Sequence, residues 1–355
     1  MNMENDSMKG VYDLLDKFTE ISKKLAFKHP YLVIIAMHEY FRNIWPNDPI
    51  IEEKLADDKL ESIILCLKNC LNLLSSAEKI GSYFTSKELL TEFKNLDEKG
   101  EKDHSQTQTV YGKLWKSLDD NYLIQDTKNI LINLFEQNGM NVDILRDKTV
   151  LDMGCGSGRF TIALAQLGVK NVIGVDLGEG GIKIGEKQSK DLDLKNIQFM
   201  KESVLSLPFE DETFDFVFAK GVLHHTGQLE NGLKEFHRVL KPGGSGFLYL
   251  YGSGGLFWNS RKKMREVMKD IPMNYTLGVL DTIGMPSQRY VFADSWYVPI
   301  EEHVERKWLE EFLLNKFSKI TKVENSGEST IQSMSNSPHS NKLWGDGELR
   351  YFLTK

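Results

Sequence analysis

Cysteine is scarce. The 355 residues hold three, Cys66, Cys70 and Cys155, too few for a disulfide framework, and a reducing cytoplasm is the expected compartment. Basic charge is not in excess: 44 Lys and Arg stand against 51 Asp and Glu, a net charge of −7. Such a chain offers no broad positive field to a phosphate backbone, which disfavours a nucleic-acid partner. Long apolar runs are also missing. The densest early run, Tyr31–Met37, falls far short of the ~20 residues of a membrane-spanning helix, so no span is expected. The start, Met1–Gly10, is polar and acidic and lacks the apolar stretch of a secretory signal. What the chain does have is 41% hydrophobic and 27% charged residues, which excludes wholesale disorder. At about 150 residues per domain, its length suggests two units or one enlarged domain, and it leaves a homo-oligomer open.

No internal repeat is visible, but the texture changes along the chain. Val11, Leu14, Leu15, Phe18 and Ile21 space themselves as one buried helical stripe, and Leu55, Ile63, Leu67, Leu71 and Leu74 as a second. Ser86 with Leu89, Leu90 and Phe93 suggests a third helix before a charged stretch at Asp97–Asp103. Cys66 and Cys70 sit one helical turn apart in this region. No second Cys pair completes a metal site, so they are expected to pack as small hydrophobes, and no metal is expected. From Lys148 short strands and helices alternate. The expected strands are Thr149–Met153, Asn171–Asp176, Ile197–Met200, Phe214–Ala219, Gly246–Tyr251, Ser318–Glu324 and Glu348–Leu353. Helical patterns lie at Arg159–Leu167, Gly181–Ser189, Gln228–Leu240 and Glu301–Leu314. That alternation implies an α/β fold, a parallel sheet with helices on both faces.

The segment beginning at Val150 reads Val-Leu-Asp-Met-Gly-Cys-Gly-Ser-Gly-Arg-Phe. A buried strand ends in a glycine loop and a helix begins at once, the order a nucleotide site requires. Glycines there let the chain turn sharply and let a ligand approach backbone amides. Arg159 stands where a dinucleotide fingerprint wants a third Gly or Ala, and no Lys-Ser/Thr follows to make a P-loop. The second strand ends in Asp176, eighteen residues after Gly158, where a carboxylate can accept both hydroxyls of a ribose.

Four segments now carry a resemblance: LDMGCGSG from Leu151, VIGVD ending at Asp176, LPFEDETFDFVFAKGVLHH from Leu207, and LKEFHRVLKPGG from Leu233. In this order and spacing the region from Lys148 to about Tyr251, with the closing strands, resembles the Rossmann-like (class I) S-adenosylmethionine-dependent methyltransferases, in particular their small-molecule branch. The resemblance implies S-adenosyl-L-methionine as cofactor. It places Gly154, Cys155, Gly156 and Gly158 beneath its methionine and ribose portions, Asp152 at the ammonium, Asp176 at the ribose hydroxyls and Leu177 against the adenine. Where the family commonly has an adenine-binding Asp, four residues before Leu207, this chain has Ser203 with Glu202 beside it. The adenine edge is then left to the Ser203 hydroxyl, to Glu202, or to backbone groups of Ser203 and Val204. The same resemblance puts Lys220, followed by Gly221, between cofactor and acceptor. Lys220 is unusual there, and it either binds an acidic substrate group or points to solvent. His224 and His225 are the remaining catalytic candidates. Their directions diverge at a helix start, which argues against joint chelation and leaves packing beneath the site or a general-base role.

Acceptor candidates come from two segments. Tyr111 and Trp115, upstream of the first strand, would share a helical face, as a lid or as a stripe packed on the helical region. Tyr251, at the end of the fifth strand, is a further candidate, and the stretch that follows it from Gly252 to Ile300, longer than a plain connection, adds Trp258, Arg289, Tyr290, Trp296 and Tyr297. Rings and arginines of this kind suit a polar ligand with flat or carboxylated parts, or else form the core of a helical cap. The expected organisation is a helical extension over 1–104 and a methyltransferase domain over 105–355, with a cap inserted at 252–300. The expected reaction is methylation of O or N of a small metabolite, sugar-linked or amino-acid-like. The alternatives are a peptide or RNA recognised through the extension, or a carbon acceptor of the quinone-biosynthetic kind.

Overall fold

The computed structural model describes residues 2–44, 53–80, 120–285, 289–324 and 340–355. They fall into two compact units, one formed by residues 1–103, 254–298 and 334–345 and the other by 104–253, 299–333 and 346–355.

The first unit is helical. Helix α1 (Asn2–Leu25) buries Val11, Leu15, Phe18, Ser22 and Leu25, a seam of alternating four- and three-residue steps. Helix α3 (Glu53–Ile80) repeats the pattern with Ile63, Leu67, Cys70, Leu74 and Ala77. Stripes of this spacing let helices pack side by side, and α3 packs against both α1 and α2 (Pro30–Ile44). Pro30 opens α2, where its missing N–H costs nothing. Within α3, Lys59–Lys79 is long and apolar enough by composition to cross a membrane, which inspection of continuous apolar runs passes over. Its contacts with α1 and α2 make it a bundle helix here. The third helix expected around Ser86–Phe93 lies outside the described residues. The inserted segment belongs to this unit: α1 packs against the helix Gly255–Met268, which also packs against the helices Arg289–Tyr297 and Ser340–Trp344.

The second unit is built on seven strands: β1 (Thr149–Met153), β2 (Asn171–Asp176), β3 (Ile197–Lys201), β4 (Phe214–Lys220), β5 (Leu240–Tyr251), β6 (Lys319–Lys322) and β7 (Glu348–Thr354). Their order is β3-β2-β1-β4-β5-β7-β6. The sheet is mixed rather than parallel: β7 runs antiparallel to both β5 and β6. Chain order reverses beside β1, which lies between β2 and β4, so a crevice opens beyond its carboxyl end.

Each face of the sheet has its own core. On one, Leu151, Met153, Val217, Leu248, Leu250 and Leu349 meet Leu233 and Phe236 of the helix Leu229–Val239 and Leu309 and Leu313 of the helix Arg306–Leu314. On the other, Phe218 stacks on Phe247 and Phe247 meets Phe352 across neighbouring strands. Phe135 of the helix Asp120–Glu136 and Phe160 of the helix Arg159–Gln166 cover that face. Strand β5 begins six residues earlier than its apolar pattern suggests, because the Pro-Gly-Gly turn is absorbed as an irregularity opposite Phe214 and Phe216.

Candidate active site

The loop after β1 is spliced to β2 by two bonds, the N–H groups of Gly154 and Cys155 both donating to the Val175 carbonyl at 2.8 and 2.9 Å. Gly154, Gly156 and Gly158 all have positive φ, which turns the chain back toward the helix Arg159–Gln166. Gly158 shows why side chains are excluded: at φ +84° a Cβ would come 2.6 Å from the Phe199 ring. The helix that follows adds its amino end to the loop, which favours a ligand carrying partial negative charge.

Two carboxylates flank this cradle. Asp176 ends β2, and its two oxygens accept from the N–H of Gly156 at 2.9 Å and of Gly178 at 2.7 Å. Burial raises its pKa and these backbone bonds pull it back. A carboxylate oxygen has two acceptor positions, so each can still take a hydroxyl. Asp152, at 3% exposure inside β1, accepts from Thr161 Oγ1 at 2.6 Å. Burial pushes its carboxyl up to about 7, against the Thr161 bond, with Asp176 adding like-charge repulsion. Cys155 is buried against Gly174 and Thr161, and burial holds its thiol protonated, so it packs the loop. Leu177, just past Asp176, is exposed. Ser203 turns its hydroxyl onto the Leu205 N–H at 3.2 Å, bracing its own turn, and Val204 is buried in the core.

Across the crevice, Lys220 ends β4. Its ammonium lies 4.7 Å from the Phe160 ring centroid and 5.8 Å from that of Tyr249, and its charge reaches Asp152. It thus lies along the site, in place of the solvent-pointing alternative. Next to it is an aromatic wall. His224 stacks on Tyr251 with centroids 3.8 Å apart, and His225 meets His224 edge-on at 4.3 Å. Tyr249 donates its hydroxyl to Glu348 at 2.6 Å, Glu348 pairs with Arg350, and the Arg350 guanidinium lies 4.6 Å from the Tyr249 ring centroid.

The helix expected from Glu301 starts only at Arg306. Residues 300–304 form a strap instead. Glu302 N–H donates to the His224 carbonyl at 2.7 Å, Val304 N–H to the Tyr251 carbonyl at 3.1 Å, and Val304 bridges Gly252. His225 Nδ1 is 2.7 Å from the Ile300 carbonyl, and His303 lies between the Gly252 carbonyl and Glu301 Oε1, 2.9 Å from each. Sequence reasoning missed this strap, together with Thr161, Glu348 and Arg350. The available signal was the lack of a helical apolar stripe before Leu309.

The other acceptor candidates belong to the helical unit or lie outside the described residues. Trp258 and Trp296, at 3% and 2% exposure, are core residues of the helical unit, held edge-on by Phe257 and Phe41 respectively. In this they follow the alternative in which such rings form the cap's own core, because burying flat rings against other rings is favoured wherever helices converge. Tyr297 pairs its hydroxyl with Thr276 at 2.6 Å in the same unit. Arg289 and Tyr290 begin the helix Arg289–Tyr297, their side chains outside the described set. Tyr111 and Trp115 lie outside the described residues.

A family model for the methyltransferase domain matches residues 151–248. The demethylmenaquinone methyltransferase of Bacillus subtilis (strain 168) is 30% identical over 224 residues, covering 52% of this chain and 92% of that protein. The chain belongs to the methyltransferase-domain family. Demethylmenaquinone methyltransferases of Staphylococcus carnosus (strain TM300) and Geobacillus stearothermophilus are 34% identical over 141 residues and 37% over 105. Those matches cover 37% and 29% of this chain and 56% and 45% of the relatives, so the chain spans about half the length of these two curated relatives. The domain is of the class I, Rossmann-like type, whose cofactor is S-adenosylmethionine. The residues fit that cofactor: the cradle at Gly158 is closed to any side chain and the neighbouring carboxylate retains acceptor capacity.

Proposed function

We propose that this methyltransferase transfers a methyl group from S-adenosylmethionine to a ring carbon of a small hydroxylated aromatic acceptor of the quinol kind. The observation that carries this reading is the wall of His224, Tyr251 and Tyr249 beside Lys220 at the carboxyl ends of β4 and β5. Flat apolar rings favour a flat acceptor laid against them. The names of the relatives support a quinone-type substrate over the O- or N-acceptor expected from the sequence.

When bound, S-adenosylmethionine supplies a methyl carbon activated by its sulfonium charge. The protein's contribution is positioning, proton transfer and exclusion of water. Asp176 and the Gly156 loop would hold the ribose, Leu177 the adenine face and Asp152 the ammonium. Lys220 would lie beside the reacting groups, its charge offsetting Asp152 and favouring an acceptor oxygen that carries negative charge. A ring carbon becomes nucleophilic when the neighbouring hydroxyl loses its proton. His225 Nε2 is the base in this reading, because Nδ1 is committed to the Ile300 carbonyl. The Gly252–Val304 strap would keep that ring in place.

The test is incubation with methyl-labelled cofactor and demethylated naphthoquinols, with catechols and aryl amines in parallel. Label appearing on a ring carbon of the quinol is the expected result. Label confined to oxygen or nitrogen would move the assignment to the O- or N-methyl reading. Label entering peptide or RNA with none of these small molecules would overturn both.

A further inference from the structure

The helical unit holds a pair of thiols that the proposed methyl transfer does not use. Cys66 and Cys70 of α3 place their sulfur atoms 4.0 Å apart. They line an open groove of about 360 Å³ between α2 and α3, with Ala36, Glu39, Asn43 and Leu65. Cys66 is half-buried and Cys70 is 6% exposed, so one sulfur faces the groove and the other lies behind it.

The surroundings distinguish the two thiols. Asn43 Nδ2 donates to Cys66 Sγ at 3.3 Å and to the Glu39 carbonyl at 2.9 Å, while Ser62 donates to the opposite end of the same amide at 3.4 Å. Cys70 donates its proton to the Ala36 carbonyl at 3.5 Å or to Cys66. A sulfur that receives donors is the one that ionises. The Cys70 thiol lowers the Cys66 pKa, while the same bond, followed by burial, raises that of Cys70. The pair is therefore two sulfurs on one helical face, one with an amide donor aimed at it and the other donating.

Geometry decides what they can do together. A disulfide needs Cβ atoms about 3.5–4.5 Å apart and a bond of about 2.05 Å. Helical positions one turn apart hold their Cβ atoms about 5–6 Å apart, so oxidation would have to distort α3. One bridging atom has no such difficulty, since two metal–sulfur bonds of about 2.3 Å span up to about 4.6 Å. No cluster of three or more His, Cys, Asp or Glu able to hold a metal occurs among the described residues, so the coordination available is two-fold. Glu39 lies close enough for its carboxylate to raise both thiols electrostatically, so the groove favours a cation over an anion. Two soft sulfur donors with negative charge nearby suit a soft monovalent d¹⁰ cation, which accepts two-fold coordination.

We propose that Cys66 and Cys70 form a dithiolate site for a soft monovalent cation, copper(I) or silver(I), in the groove between α2 and α3. Binding forms two metal–sulfur bonds with no change of oxidation state. It releases one proton from Cys70, and a second from Cys66 in the fraction of molecules where that thiol is still protonated.

The test is titration of the full chain, reduced and anaerobic, with copper(I) buffered by a chromophoric chelator that out-competes single thiols. One equivalent should transfer to the protein, with an absorption edge showing two sulfur neighbours. Cys66→Ala, at the half-buried position, should weaken uptake at least about a hundredfold with unchanged helical circular dichroism. Cys70→Ser should do the same, and Asn43→Ala should weaken it less. Uptake of one equivalent by Cys66→Ala at the original affinity would overturn the site, because the remaining thiols would then be the ligands. Failure of the wild-type chain to take copper(I) from the chelator would overturn it directly. Neither result bears on methyl transfer, which is measured separately.

Discussion

His225 is tied through Nδ1 to the carbonyl of Ile300 at 2.7 Å, and that bond assigns its proton. A carbonyl only accepts, so Nδ1 donates and the lone pair of the neutral ring lies on Nε2. Because our proposal makes this ring the base, His225→Ala is expected to lower kcat about a hundredfold or more, the usual scale for losing a general base, with little change in cofactor affinity. The informative variant is His225→Asn, whose amide can still donate to Ile300 but offers no base. A wild-type kcat in His225→Asn would show that the ring only positions the strap.

In our proposal, Asp152 links cofactor affinity to pH. Its carboxyl is pushed up to about 7 by burial, so near neutrality part of the population is protonated. Only the ionised form attracts an ammonium group. Affinity for S-adenosylmethionine is therefore expected to fall on acidification through about pH 7, by up to about tenfold per pH unit, and to level off above about pH 8. Stability of the ligand-free protein runs the other way. The folded pKa lies above the unfolded value of 3.8, so the folded state binds more protons between the two and loses stability as pH rises through that window. Asp152→Asn should remove both dependences, weakening binding at pH 8 while raising the melting temperature there. Calorimetric titration and thermal melts at pH 6, 7 and 8 measure the two, and a Kd independent of pH would remove Asp152 from the ammonium site.

Asp176 has two tasks that one substitution separates. Its oxygens hold the N–H groups of Gly156 and Gly178, and in our proposal they also receive the ribose hydroxyls. Asp176→Ala should weaken cofactor binding at least about tenfold, about 1.4 kcal/mol. A nucleoside lacking the 2′-hydroxyl should bind the wild-type chain more weakly and the variant no differently. An unchanged affinity in Asp176→Ala would show the ribose contact to be misassigned.

How much of this was legible depends on the range of the interactions involved. Strand β1, the turn at Gly154–Gly158 and the place of Asp176 are local: apolar runs, glycines and one spacing specify them. The strap at 300–304 is not, because its partners, His224, His225 and Tyr251, are chosen by the sheet and not by neighbouring residues. The Glu-Glu-His-Val run from Glu301 to Val304 has no helix breaker, so local preference pointed to a helix that tertiary bonds override. Trp258 and Trp296 show the limit of composition. An aromatic ring suits a pocket wall and a helical core equally well, and only the positions of Phe257 and Phe41 decide between them. Antiparallel β7 was equally hidden, since strand direction leaves no mark on a short apolar run.

Gly180 and Gly181 offer a test of the cradle in which adjacent residues should respond with opposite signs. Both lie in the helix Glu179–Asp191, where neither has positive φ. A Cβ on Gly180 meets nothing within 4 Å, whereas one on Gly181 would lie 2.4 Å from the Gly156 carbonyl oxygen. That contact is with backbone, so it cannot be relieved by turning a side chain. Gly180→Ala is expected to stabilise the protein by roughly 0.5–1 kcal/mol, because alanine loses less freedom in a helix. Gly181→Ala should destabilise by roughly 1–3 kcal/mol, the cost of overpacking. It should also weaken S-adenosylmethionine binding at least about tenfold, because Gly156, the residue displaced, also supplies through its own N–H the bond that holds Asp176. Thermal melts with and without cofactor separate the effects. Equal responses from the two variants would mean that the helix is not pressed against the loop.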